Sequence, residues 1–269
     1  MKVFATFRVV LKECQCSIRL CKDWSSRFRL MSDYLMSHVL FALPSGLLNR
    51  ERNITTRNGV KLSYRLNRGD LQSIREVWCD EVYSLPFAIP SGALLDLGAN
   101  IGLTTIWMAT RSHFSKIIAV EPDRENAALV AKNLRQNGIS GEVVQAAVGP
   151  RDGTAYFRKA SWSNLGACVG FSSDDKRLDV EGTSVPMVSV GSILKRFELD
   201  RLAIVKVDIE GSEQTLLLGP CEWLNCTESL VVEFHPPTVD YELLSETVTS
   251  HGFKFIPASP QNMDCFVRC

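Results

Sequence analysis

From residue 91 onward, short apolar runs alternate with segments of helical periodicity. That alternation constrains the fold more than any other feature. Ala93-Leu94-Leu95-Asp96-Leu97, Lys116 to Glu121 and Glu142 to Val148 read as buried strands. Helical stretches at 101–111 and 123–137 separate them, the second stopped by Asn137-Gly138. Strands resume at Leu202–Asp208 and Leu230–Phe234, with helices near 212–218 and 238–251. Such an order requires a mostly parallel sheet with helices on both faces. Two closing runs, Phe253–Ile256 and Asp264–Val267, form a hairpin, so one of its strands must be antiparallel to the rest. The Ser-, Gly- and Asp-rich stretch 150–190 interrupts the pattern as a hairpin or loop insertion.

Ahead of the sheet the texture differs. Leu30, Tyr34, Leu35, His38, Val39 and Phe41 fall at helical spacing, ending at Pro44-Ser45-Gly46. Asn58-Gly59 joins two short strands over 53–66 into a hairpin, and 70–88 returns to helix. The chain divides into a helical extension, 1–52, and an α/β domain, 53–269. The extension carries seven Lys or Arg up to residue 30 against Glu13 and Asp23. It reads as a lid, or as a contact for a homodimer. Glu13, Asp23 and a weak apolar stripe weigh against a helix lying on a membrane.

Overall, 30 basic residues balance 30 acidic ones, which gives no support for a nucleic-acid partner. No segment reaches the ~20 apolar residues of a membrane span. Nine cysteines show no paired CxxC spacing, so a disulfide scaffold or structural zinc is not expected. Reduced thiols and a cytoplasmic location are the corresponding expectation.

Chemistry concentrates at the carboxyl ends of the strands, where an open α/β sheet binds its ligand. Gly98 and Gly102 bracket Asn100 in the turn after the first parallel strand, with Asp96 two residues before it. Glu121 ends the second strand, placed to accept from two ribose hydroxyls. A dinucleotide loop would read G-x-G-x-x-G around a pyrophosphate; here it reads G-x-N-x-G. The implied ligand has a ribose and a positive end but no pyrophosphate, which describes S-adenosylmethionine. An NAD-dependent oxidoreductase and a catalytically silent Rossmann-like binding module are the alternatives. Further along, Lys206-Val207-Asp208-Ile209-Glu210-Gly211-Ser212-Glu213 sets three carboxylates at a strand-to-helix turn, and Glu233-Phe234-His235-Pro236-Pro237 ends the next strand. Asp208 or His235 is expected to take a proton from an attacking hydroxyl, with Glu210 and Glu233 orienting the substrate. No metal is assigned; a divalent ion on Asp208 and Glu233 is the less favoured route.

Together these motifs resemble the FkbM-type methyltransferase family over roughly 55–256. The resemblance rests on Gly69-Asp70, Glu76 and Tyr83, then Leu95 to Gly102, Val120-Glu121-Pro122 and Ala146-Ala147-Val148-Gly149. Val185 to Val190, Val205 to Glu213 and Val232-Glu233-Phe234-His235 complete it. It implies a Rossmann-like seven-stranded sheet with a reversed final hairpin. It also implies O-methylation of a hydroxyl on a sugar, polyketide or other secondary metabolite, that is, of a small-molecule or glycan acceptor. Asp96, Gly98, Ala99, Asn100, Gly102, Glu121, Pro122 and Ala147 take the cofactor positions. Asp208, Glu210, Glu233 and His235 take the reacting edge, with Glu213 and Lys206 toward the substrate. The first fifty residues and 160–183 lie outside the match, and acceptor choice is expected in the latter.

Overall fold

The computed structural model describes residues 2–38, 49–158, 168–170, 183–235, 239–257 and 263–269. Two helices, α1 (Lys2–Leu20) and α2 (Trp24–Ser37), precede a two-stranded hairpin, β1 (Glu51–Thr55) and β2 (Lys61–Arg65). Asp23 starts α2 by accepting from the Ser26 backbone N–H at 2.8 Å. Gly59, at φ +82°, turns the hairpin. Helix α3 (Arg68–Trp78) follows, capped by Asn67. It is shorter than the 70–88 expected, because the chain breaks at Asp80 and Glu81, where Glu81 has a positive φ. The helix end expected at Pro44-Ser45-Gly46 lies outside the described residues.

The α/β part contains β3 (Ala93–Leu97), α4 (Leu103–Ala109), β4 (Ile117–Val120), α5 (Arg124–Gln136) and β5 (Glu142–Val144). After an insertion come α6 (Val190–Phe197), β10 (Leu202–Val207), α7 (Glu213–Leu217) and β11 (Ser229–Glu233). The chain ends with α8 (Tyr241–Ser250), β12 (Phe253–Ile256) and β13 (Met263–Arg268). The seven-stranded sheet has the order β12-β13-β11-β10-β3-β4-β5. Only β13 runs against its neighbours, as the terminal hairpin requires. Every residue of β3 and β10 is buried. Strand alternation sends Leu94 into one core layer and Leu95 and Leu97 into the other, so helices must cover both faces.

The third strand expected at 142–148 is two strands. The chain turns between Val144 and Ala147, where Ala146 donates to the Val144 carbonyl. Strand β6 (Ala147–Val148) thereby enters a second, four-stranded sheet of order β6-β9-β7-β8, with β7 (Gly153–Arg158), β8 (Cys168–Gly170) and β9 (Thr183–Val188). The interruption at 150–190 is thus a small sheet of its own. The larger part of 160–183 lies outside the described residues.

The cysteines depart from expectation. Cys16 of α1 and Cys79, just past α3, are joined by a disulfide, with 5.6 Å between Cα atoms. The partners are 63 residues apart, so only the packing of α1 on α3 brings them together. Such bonds are uncommon where thiols are kept reduced, and this one could not be read from cysteine spacing along the chain. Among the described residues no helix is long and apolar enough to cross a membrane.

Candidate functional site

Beyond the carboxyl ends of β3, β4, β10 and β11 lies a cavity of about 650 Å³. Parallel pairing of β3 with β10 puts Asp96 and Lys206 in register, with their side chains on one face. The Lys206 ammonium lies 3.3 Å from Asp96 Oδ1 and 3.2 Å from Asp208 Oδ2, and it donates to the Gly98 carbonyl at 2.7 Å. Burial opposes its charge, but Asp208 and Asp96 outweigh that and hold its pKa well above the usual lysine value. Asp96 also accepts from Thr105 Oγ1 at 2.5 Å. Fully buried, Asp96 lies beneath the cavity rather than in its lining, as the counter-charge of Lys206.

Gly98, at φ +81°, explains why the turn must be glycine. A Cβ there would stand 1.8 Å from the Asp208 carbonyl oxygen. The glycine therefore serves the close approach of two strand ends, as well as opening the wall. Gly102 likewise fits against Val130 of α5 and does not line the cavity. Ala99, Asn100, Pro122 and Ala147 do line it, together with Gly98 and Glu121.

Glu121 is buried and accepts from the backbone N–H groups of Asn100 (2.8 Å) and Asp123 (3.0 Å). Burial raises its carboxyl to about pKa 7 despite those bonds. Asn126 of α5 donates to both Glu121 and Asn100. Asn126 in turn accepts from Arg65 at 2.6 Å, and Arg65 is held by Asp70. That chain gives the Gly69-Asp70 motif a physical purpose, since it fixes the amide that fixes Glu121.

The opposite wall is charged. Lys206, Asp208, Glu210 and Glu233 line the cavity. Burial, then Asp208, push Glu233 up to about pKa 7. His235 and Glu213 stand behind this row and are not part of the lining. Glu213, fully buried, accepts from the N–H groups of Ile209 and Gly211 and meets His235 Nδ1 at 2.8 Å. It orders the turn and the ring instead of facing a substrate. The other ring nitrogen is 3.5 Å from Glu210, 3.8 Å from Asp208 and 4.0 Å from Glu233. Burial opposes protonation, but the Glu213 hydrogen bond and Asp208 outweigh it and raise His235 to about pKa 9. The ring therefore binds its proton more tightly than a free imidazole and stands as a partner of the surrounding carboxylates. Asp208, Glu233 and His235 each present one ligand atom within 4.8 Å of the others, a set able to take a divalent ion.

Sequence reasoning passed over the α3 contribution. Gln72, Ser73 and Glu76 line the cavity, and the Asn100 amide donates to Ser73 at 3.3 Å. Tyr83 lines it too, its ring centre 6.0 Å from the Lys206 ammonium. Glu76 and Tyr83 stand in the family pattern, and Ser73 lies on the same helical face as Glu76 and Gln72 but carried no motif. Val9 and Lys12 reach the cavity from α1.

The pattern of the methyltransferase FkbM domain matches residues 96–255. The AMB antimetabolite synthetase AmbE of Pseudomonas aeruginosa is 23% identical over 220 residues, covering 67% of this chain and 10% of its own. The 31-O-demethyl-FK506 methyltransferase FkbM of Streptomyces tacrolimicus is 22% identical, over 74% of this chain and 87% of its own. A crystal structure of a methyltransferase FkbM from Methylobacillus flagellatus KT superposes with a TM-score of 0.50 at 17% identity. It covers 97% of this chain and 59% of that one. The chain thus spans a small part of AmbE, somewhat over half of the Methylobacillus protein and most of the Streptomyces enzyme.

Proposed function

Because the chain belongs to the methyltransferase FkbM domain family, we propose that it transfers a methyl group from S-adenosylmethionine to a hydroxyl of a sugar, polyketide or other secondary metabolite. The observation that carries this reading is the two-sided cavity. A hydrogen-bonded carboxylate, Glu121, stands on one side, and a row of carboxylates, Asp208, Glu210 and Glu233, on the other. Glu121 has acceptor capacity for ribose hydroxyls, and Gly98, Ala99 and Asn100 provide a wall of small side chains beside it. The acidic row suits a positive ligand end. The residues present therefore fit the cofactor.

When bound, that cofactor supplies an electrophilic methyl group on a sulfonium. The chain has to hold an acceptor oxygen in line and receive its proton. Positioning alone can lower such a barrier by roughly 7–11 kcal/mol. Asp208 and Glu233 are the proton acceptors in this reading, since both reach the cavity. Lys206 and the charged His235 hold the two carboxylates apart and limit their mutual repulsion. Glu210 orients the acceptor.

Calorimetry with S-adenosylhomocysteine and NAD tests the cofactor half, with binding of the former only as the expected result. A screen of hydroxylated glycans and polyketides with labelled cofactor tests the acceptor half. Near-normal turnover in both Asp208→Asn and Glu233→Gln would remove the proposed proton acceptors. A second reading rests on the convergence of Asp208, Glu233 and His235, which could hold a divalent ion that acidifies the acceptor hydroxyl. It requires His235 to give up its proton. Loss of turnover in a chelator, restored by Mg²⁺ or Mn²⁺, would favour it.

A further inference from the structure

Helix α2 is apolar on two sides. Leu30 and Tyr34 are buried against the body of the molecule. Elsewhere on its circumference Trp24, Phe28 and Leu35 are 70%, 60% and 47% exposed. Spacings of four and seven residues bring these three within a sector of roughly 40°. The Trp24 and Phe28 rings pack together at 6.1 Å, with the Arg27 guanidinium 5.0 Å from the Trp24 ring centre. Helix α1 repeats the arrangement. Leu11 and Ile18, seven residues apart, are 48% and 50% exposed, while Cys16 and Leu20 are buried. Apolar residues aligned toward water on both helices mark a surface made for contact.

Charge selects the occupant. Arg19 and Lys22 are exposed on α1 and the link to α2, and the half-buried Arg27 lies over the Trp24 ring. Lys12, by contrast, faces the cavity, and Arg29 donates to the Asn53 carbonyl. The acids that weigh against membrane contact in the sequence are mostly out of play. Glu13 is buried and pairs with His38 at 2.7 Å, and Asp33 is buried against Tyr64 at 2.7 Å. Only Asp23 remains exposed, occupied in capping α2. The face is therefore aromatic and cationic. A symmetric pairing with a second copy would set these cations against their own equivalents. An anionic lipid surface matches both properties, because indole and phenyl rings favour the headgroup region and Lys and Arg meet lipid phosphates.

We propose that the α1–α2 face seats the protein on an anionic membrane surface, with Trp24, Phe28 and Leu35 as the inserted side chains. No spanning segment is needed, and among the described residues none is present. Helix α1 also carries Val9 and Lys12 at the cavity, so the docked face and the cavity share a helix.

Co-sedimentation of the full chain with phosphatidylcholine vesicles, plain or carrying about a third phosphatidylserine, tests this. The expected result is about tenfold more protein on the anionic vesicles, reversed by high salt. Trp24→Ser with Phe28→Ser, and separately Arg19→Glu with Lys22→Glu, should each abolish most of that binding. All four side chains are exposed or at the surface, so unchanged thermal unfolding would show that the variants fold. Equal partitioning of wild type and both variants, or no preference for anionic lipid, would overturn the proposal. So would a concentration-dependent dimer, abolished by Trp24→Ser with Phe28→Ser, in a protein that ignores vesicles.

Discussion

The two walls of the cavity are built from different materials. The direct partners of the Glu121 wall are backbone N–H groups and the neutral amides of Asn100 and Asn126, with the Arg65–Asp70 pair one step behind. The wall around Asp208 is held by mutual attraction among Lys206, His235 and four carboxylates. A scaffold of neutral hydrogen bonds keeps its shape when one ligand changes, whereas a charge network redistributes whenever a member is lost. The first wall should thus respond to substitution locally, and the second collectively.

Gly98 joins the walls and gives the largest expected effect. Gly98→Ala drives a Cβ into the Asp208 carbonyl and should cost on the order of 5 kcal/mol, or prevent folding, as read by thermal unfolding. Lys206→Met leaves Asp96 and Asp208 without their shared cation. A loss of about 4 kcal/mol in denaturant titration is expected, and double substitution with Asp96→Asn should recover part of it. Glu233→Gln separates the walls. Turnover should fall about 10²–10³-fold, while S-adenosylhomocysteine affinity stays within about twofold. Glu121→Gln should do the reverse, weakening S-adenosylhomocysteine by roughly 2 kcal/mol, or about thirtyfold, with turnover at saturating cofactor preserved.

The smallest effect is a pH dependence. In the ligand-free chain burial holds the Glu121 carboxyl near pKa 7, and ribose hydroxyls would donate to its ionised form. Below about pH 7 the group must lose a proton on binding, so affinity should weaken by up to about tenfold per pH unit and level off above 7. Glu121→Gln should flatten that slope in calorimetry. If Glu233→Gln and Glu121→Gln each altered both binding and turnover equally, the division into two walls would fail.

The Glu121 wall was the more legible in sequence for the same physical reason. A strand, a glycine turn and a strand-end acid lie within 30 residues, and local geometry fixes their relation. Even there, two roles differ from expectation. Asp96 serves Lys206 from below the lining, and Gly102 accommodates Val130. Both depend on partners contributed by distant strands and helices. The parallel sheet and reversed hairpin followed from apolar periodicity, which burial on both faces enforces. The β5–β6 break is not marked by a glycine or proline: Val143 to Val148 is apolar apart from Gln145, and only backbone pairing divides it. His235 shows the limit most plainly. Its residue type suggests a base near neutrality, but four carboxylates from separate segments decide its charge. Ser73 and Gln72 on α3 had no motif to mark them, and the packing of that helix over the turn alone brings them to the cavity.

The Cys16–Cys79 bond also changes the connectivity of the molecule. It closes a covalent ring containing α2, β1, β2 and α3, with the α/β part of the chain following it. A protease that nicks the chain anywhere inside that ring leaves two pieces still tethered, migrating together on a gel until a reductant is added. On that denaturing gel, reduction would separate the fragment bearing α1, with Val9 and Lys12, from the rest of the chain.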